Sequence, residues 1–258
     1  MNLDLCGARV IITAGAAGIG REIAKGFLEE GAAVSVCDVD ADALDDLAAK
    51  HPGIHGAVCD VTDCAGLGRF VHDAAARMGG IDAVINNAGT AGPTAGIEDI
   101  DPSDWARCID VCLTSQFNTT RLALPYLRQS TNASITNMSS AAGQMGFARR
   151  TPYAAAKWGV IGLTKSLSIE LGADGIRANA ILPGIVAGDR QRRVMEARAQ
   201  SHGQSFAEIE AAAFSHASIK DYVTPRQLAD QILFLASPRG RMISGQAISV
   251  CGDLKMLG

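Results

Sequence analysis

Aromatic side chains are scarce in this chain, 5% of 258 residues, and there are only eight prolines. A core must therefore be assembled from small aliphatic groups, which 48% hydrophobic residues can supply. Positive charge is not in excess: the formal net charge is −4, so no basic footprint points to nucleic acid. No apolar run approaches the roughly 20 residues of a membrane-spanning helix. The opening MNLDLCGARVIITAG has no cationic segment followed by a long apolar stretch, and so does not read as a secretory signal. These absences together read as a cytoplasmic protein with no nucleic-acid and no membrane partner. Disulfides are also disfavoured, because the seven cysteines are odd in number and show no Cys-X-X-Cys. His51, His55, Cys59 and Cys64 lie near one another in sequence, but not at a zinc spacing. Cys59 falls in GAVCDV, which reads as a buried strand, and a buried free cysteine behaves as a small hydrophobe. No metal site is expected.

What the chain has is a rhythm. Short β-branched runs bounded by turn residues predict strands at Arg9–Thr13, Ala33–Asp38, 57–61, 81–85, Ser134–Met138, 177–182 and 246–250. Segments with helical spacing lie between them, at 21–30, 113–128 and 153–171 among others, with Gly31 as the stop of the first. Alternating β and α units imply right-handed crossovers and a parallel sheet covered by helices on both faces, a Rossmann-type doubly wound α/β fold. With no repeat, low-complexity tract or linker, the reading is one domain over 1–258. One stretch breaks the rhythm, 188–222, rich in Arg, Gln, Ala and His. An insertion beyond the carboxyl end of a strand is where a substrate loop belongs.

The first predicted strand runs into Thr13-Ala-Gly-Ala-Ala-Gly-Ile-Gly20 and then into a helix. Glycines at such a turn let backbone N–H groups approach a pyrophosphate, and a helix N-terminus favours its charge. Gly15, Ala17, Gly18, Ile19 and Gly20 are therefore candidate cofactor contacts. Alone, a glycine-rich turn is weak evidence; its place after strand one is what gives it weight. Asp38 closes the second strand, 18 residues after Gly20. A carboxylate there accepts hydrogen bonds from an adenosine ribose and repels a 2′-phosphate. No cation stands at Ala17 or Val39 to invite that phosphate. NAD is the expected cofactor.

Tyr153 and Lys157 sit one helical turn apart, with Pro152 placed for the first turn of the helix. A nearby ammonium stabilises a phenolate, which suits a tyrosine to general acid–base work on an alcohol. A lone Tyr-X-X-X-Lys is common in ordinary amphipathic helices. Ser140, thirteen residues upstream at the end of a predicted strand, narrows the choice, since its hydroxyl could hold the substrate oxygen.

With TAGAAGIG (13–20), Asp60-Val61, Asn86-Asn87-Ala88-Gly89, Ser140, Tyr153-Ala-Ala-Ala-Lys157 and Pro183-Gly184 in this order, the sequence resembles the single-domain short-chain dehydrogenase/reductase family over nearly its whole length. The resemblance implies a seven-stranded parallel sheet, often assembled as a homotetramer. It implies that Asp60 and Val61 contact adenine and that Asn87, Ala88 and Gly89 line the nucleotide groove. Tyr153 would carry the proton, Lys157 would also hold the nicotinamide ribose, and Ser140 would orient the carbonyl. Three positions depart from the family pattern. Ala14 stands where the first loop glycine is usual, so the turn is expected to shift slightly. Gly188 stands where a threonine contacts the carboxamide, so that contact is lost or passes to the backbone around Ile185 and Val186. Cys112, in DVCLTSQF (110–117), replaces an asparagine that acts largely through its backbone carbonyl in a proton relay with Lys157.

Arg149 and Arg150 border the expected site, and 188–222 adds Arg190, Arg192, Arg193 and Arg198. Guanidinium groups suit carboxylate, phosphate or sulfonate, so the expected substrate is a small polar or anionic alcohol or ketone: a hydroxy acid, sugar or polyol derivative. The plainer alternative is a solvated helix face, paired locally with Glu196. His202 and His216 read as surface or packing residues. Rival functions are a 3-oxoacyl-carrier-protein reductase, which Asp38 disfavours, a non-catalytic NAD(H)-sensing protein, which retention of Tyr153 and Lys157 disfavours, and a scaffold stabilised by a dinucleotide.

Overall fold

The computed structural model describes residues 2–256, less the side chains of Arg190, Ala197, Ser201 and His202. The strands are β1 (Arg9–Thr13), β2 (Ala33–Asp38), β3 (Ile54–Val58), β4 (Ala83–Asn86), β5 (Ser134–Met138), β6 (Arg177–Pro183) and β7 (Ala247–Val250). They form one sheet in the order β3-β2-β1-β4-β5-β6-β7, every neighbouring pair parallel. The helices are α1 (Gly18–Glu29), α2 (Ala41–Lys50), α3 (Cys64–Met78), α4 (Pro102–Ile109), α5 (Ser115–Leu127), α6 (Thr151–Glu170), α7 (Asp189–His202), α8 (Phe206–Ser215) and α9 (Pro225–Ala236). None is both long and apolar enough to cross a membrane, among the described residues.

Strand pleating divides the apolar side chains between two cores. Val10 and Ile12 of β1 join Ile23 and Phe27 of α1 and Leu228 and Ile232 of α9. Ile11 faces the other way, toward Leu67 and Phe70 of α3 and Leu127 of α5. Each such side chain contributes about 1.5–3 kcal/mol when fully buried, and the sheet gains this on both faces. The chain winds outward from β1 to β3, returns to β4 beside β1, and winds outward again to β7. The crevice where the two directions part lies beyond the carboxyl ends of β1 and β4.

Arg177 holds one end of this frame. Its buried guanidinium donates to the carbonyls of Leu235 and Ala236, which end α9, and to Gly240. A cation placed there satisfies the open carbonyls of a helix C-terminus.

The third strand lies earlier than the sequence suggests, at Ile54–Val58 rather than 57–61. It is an edge strand, and Val58 is 67% exposed. Two aspartate turns end it: Asp60 accepts from the Thr62 N–H, and Asp63 caps α3 through the Ala65 N–H. Cys59 is buried, as expected, but in the turn after the strand. The irregular stretch 188–222 contains α7 and α8, joined through Gly203 at φ 64°. Tyr222 anchors α8 by donating to the Glu210 carboxylate and meeting the Phe214 ring edge-on at 5.0 Å. Burial, with Glu210 beside it, pushes the Tyr222 phenol up to about 12, so it remains a donor.

Candidate active site

In the loop between β1 and α1, Ala14 takes the left-handed conformation that glycine adopts freely, φ 52°, at a cost of roughly 1–2 kcal/mol. Asn87 holds it there, donating from Nδ2 to the carbonyls of Thr13 (3.1 Å) and Ala14 (2.8 Å). The Thr13 hydroxyl in turn accepts from the N–H groups of Asn87 and Ala88, each at 3.0 Å. Asn87 and Ala88 thus bind the glycine loop to the end of β4.

Two glycines explain why the loop fits a dinucleotide. A Cβ on Gly20 would strike the Ala14 carbonyl and Asn87 Nδ2, so only glycine lets α1 begin this close to β4. Gly18, at φ 52°, faces open space, leaving its backbone bare at the start of a helix, where an anion is favoured. Ala17 is the N-cap residue of α1 without a side-chain cap, while Ile19 packs inward on the core and Gly15 lies against Val36. Asp38, at the end of β2, faces this loop: its carboxylate accepts from the Ala16 N–H at 3.0 Å and the Val39 N–H at 2.8 Å. The residues present therefore fit a nicotinamide dinucleotide.

Asp60 and Val61 follow β3 on the same side. Hydrogen bonds from the Thr62 N–H and hydroxyl hold the Asp60 carboxyl below the usual carboxylate range, and Val61 is buried. Val186 lies beyond β6, in a parallel bridge with Val223. Gly188, at φ 143°, adopts a backbone that a threonine would resist, which accounts for the missing side chain there.

Lys157 is 3% exposed on α6 and its Nζ donates to the Met138 carbonyl at 2.7 Å, the last residue of β5. Gly89 lies beside it: a Cβ there would sit 3.6 Å from Nζ, an ordinary contact. The Tyr153 ring has Lys157 Nζ at 5.7 Å and the Arg150 guanidinium at 4.8 Å from its centroid. Ser140 opens the short turn after β5, its hydroxyl accepting from the Ala142 N–H at 3.2 Å. Tyr153 and Lys157 thus share one end of α6, and Met138, two residues before Ser140, ties that end to the tip of β5.

The arginines divide. Arg150 is buried, donates to the Ala91 carbonyl and lies 4.9 Å from the Phe147 ring. Arg198 reaches the same ring from α7, at 5.7 Å, and burial lowers its pKa. Arg192 pairs with Glu196 in the open, as the solvated alternative expects. Arg149 has φ 61°. The side chains of Arg190 and His202 lie outside the described residues.

Cys112 is buried behind Tyr153 in a one-turn π segment, Asp110–Thr114, between α4 and α5. Its thiol accepts from the Thr90 N–H at 3.3 Å and approaches the Thr90 carbonyl at 3.5 Å. A hydrogen bond with Cys112 and burial push the neighbouring Cys108 thiol up, keeping it protonated. Serine can exchange the same bonds. Cys112→Ser is therefore expected to keep more than about a tenth of wild-type turnover, the loss of one neutral hydrogen bond being worth about 1 kcal/mol. A folded but inactive variant would show that the thiol itself is required.

Sequence reasoning passed over Gln116, 1% exposed on α5, and the Met138 carbonyl. A backbone acceptor leaves no trace in a sequence. For Gln116 the signal was present, an amide one helical turn after Cys112 on an otherwise buried face.

A doubly wound sheet with its polar residues gathered at the switch point is the architecture of nucleotide-binding oxidoreductases. Comparison with known proteins narrows this. The family model described as enoyl-(acyl carrier protein) reductase matches residues 14–253. A 3-oxoacyl-(acyl-carrier-protein) reductase from Thermotoga maritima is 33% identical over 256 residues, 98% of this chain and 99% of that protein. A D-beta-hydroxybutyrate dehydrogenase from Cupriavidus necator is 36% identical over 251 residues, 93% and 95% of the two chains. The crystal structure of a variant actinorhodin polyketide ketoreductase with NADPH has a TM-score of 0.91 at 29% identity, covering 96% of this chain and 97% of that one. The chain belongs to the short-chain dehydrogenase/reductase family, oxidoreductases of hydroxyl and keto groups that bind a nicotinamide cofactor.

Proposed function

We propose that this protein is an NAD-dependent dehydrogenase of a small alcohol or ketone that carries a polar or anionic group. The observation that carries the reaction is the buried Lys157 ammonium, fixed on the Met138 carbonyl beside the Tyr153 ring. When bound, nicotinamide takes or supplies the hydride. Tyr153 Oη takes the alcohol proton in oxidation and returns it in reduction. Lys157 holds the phenol's surroundings cationic and the ribose in place, and Ser140 steadies the substrate oxygen. Asp60, Val61, Asn87, Ala88, Gly89 and the backbone at Val186 complete the cofactor groove. Asp38 favours NAD, and Arg21, the first cation after the loop, is engaged with Asp46 on α2.

The anionic substrate rests on Arg150 and Arg198, two guanidinium groups against one ring, the first touching the catalytic phenol. The segment 188–222 then forms the substrate loop. The relative from Cupriavidus necator, named for a hydroxy acid, supports this class. Phe117 on α5 and Trp158 and Ile169 on α6, at 48%, 52% and 82% exposure, support a homo-oligomer, tetramer or dimer. The setting is the cytoplasm.

The test is a panel of hydroxy acids, sugars, polyols and apolar alcohols assayed with NAD, on wild type and Arg150→Met. The variant is expected to raise KM for carboxylate-bearing substrates about tenfold to a hundredfold, the worth of a charge-assisted hydrogen bond, and to leave neutral alcohols within about threefold. Turnover of apolar alcohols alone would reject the substrate class. A carrier-protein ketoreductase is the second reading, favoured by the 33% identity to the Thermotoga maritima enzyme. Efficient NADPH-dependent reduction of a 3-oxoacyl thioester, with no activity on the panel, would decide for it.

A further inference from the structure

The π segment between α4 and α5 has a use beyond packing. A π turn steps out of the regular i to i+4 ladder and leaves carbonyls open to other donors. The carbonyl of Cys112 in this segment accepts from the side chain of Gln116, Nε2 to O at 2.9 Å. The same Nε2 donates to the Met138 carbonyl at 3.1 Å. Met138 is the residue whose carbonyl holds Lys157 Nζ at 2.7 Å. One amide therefore joins the π turn, the tip of β5 and the acceptor of the ammonium. Its orientation is set by its donors: Oε1 is buried with no partner among the described residues, and the reversed amide would set an oxygen against two carbonyl oxygens.

We propose that Gln116 is a positioning residue for Lys157, an inference that rests on the acid–base reading of Tyr153 and Lys157. Two donors share the Met138 oxygen, the amide and the ammonium, and each limits where the other can sit. The amide also occupies the Cys112 carbonyl. Gly89 borders both Nζ and Cys112: a Cβ there would lie 3.6 Å from Nζ and 3.9 Å from the Cys112 sulfur. Without the amide, the Met138 oxygen loses one of the two donors that fix its geometry, and the ammonium can shift relative to the phenol. An apolar side chain of equal size fills the space and does neither job.

Gln116→Met preserves volume and removes both donors. It is expected to lower kcat about tenfold to fiftyfold, to leave KM for NAD within about threefold, and to move the midpoint of the kcat–pH profile by more than about half a unit. Gln116→Glu is the second variant. Its protonated acid can still donate one hydrogen bond, whereas its carboxylate only repels the carbonyls. Its deficit relative to wild type is therefore expected to widen as pH rises. If Gln116→Met keeps kcat within about threefold, or loses activity with an unmoved pH profile, the inference fails. Should Gln116→Met not fold, a pH-independent deficit in Gln116→Glu overturns it equally. Tyr153→Phe in the same assay separates the two levels. Turnover surviving there sinks the acid–base reading itself, whereas an inactive Tyr153→Phe beside an unaffected Gln116→Met sinks this inference alone.

Discussion

Tyr153→Phe is expected to lower kcat by about 10³-fold or more, near the upper range for a lost general acid–base, with NAD affinity within about threefold. The substitution removes one oxygen and keeps the ring. Both cation contacts to that ring, from Arg150 at 4.8 Å and Lys157 at 5.7 Å, belong to its faces and remain. Lys157 stays on the Met138 carbonyl, and the glycine loop, β4 and β2 are untouched. What disappears is the hydroxyl that accepts or returns the substrate's proton, an interaction made chiefly in the transition state, so kcat and kcat/KM should fall together. Steady-state absorbance of reduced nicotinamide reads the rate, and quenching of protein fluorescence by NADH reads the affinity. Unaltered turnover would remove Tyr153 from the chemistry. Lost affinity together with lost rate would instead point to a collapsed cofactor groove.

The central strands were legible as short β-branched runs bounded by turn residues, even where polar residues interrupt them, as in the wholly buried Ser-Ile-Thr-Asn-Met of β5. β1, β2 and β5 lie at the residues expected. β3 was misplaced by three residues, because an edge strand with exposed Val58 carries no such signal and the apolar Cys59 and Val61 beyond it belong to aspartate turns. Asp38 at the end of β2, Ser140 after β5, and Tyr153 and Lys157 on α6 mark themselves as candidates by type and spacing. Less visible was what holds them. Asn87, a motif residue, turns its side chain to the Thr13 and Ala14 carbonyls, and that clasp lets an alanine occupy a glycine conformation. Arginine counting could not separate Arg150 and Arg198, which meet on the Phe147 ring, from Arg192, which faces Glu196. That distinction depends on how α7 folds back over Phe147.

Cofactor choice yields the other large effect, and it depends on one carboxylate. Asp38 is fixed by the N–H groups of Ala16, Val39 and Asp40, so its charge cannot swing aside. A 2′-phosphate carries between one and two negative charges near neutrality. At about 5 Å and an effective dielectric of about 20, each unit of that charge meets a repulsion of about 3 kcal/mol. NAD should therefore be preferred over NADP by at least about a hundredfold in kcat/KM, since 1.4 kcal/mol is tenfold. Asp38→Ser removes the charge but keeps a hydroxyl for the ribose. It is expected to raise KM for NAD about tenfold and to improve kcat/KM with NADP about tenfold or more, moving the ratio by about two orders of magnitude. Val39 is 65% exposed and follows directly, so adding Val39→Arg costs the fold little and supplies the missing cation. The double variant should prefer NADP. A wild type that already prefers NADP, or a ratio unmoved by Asp38→Ser in a protein with unchanged thermal midpoint, would place the adenosine ribose elsewhere than beside β2.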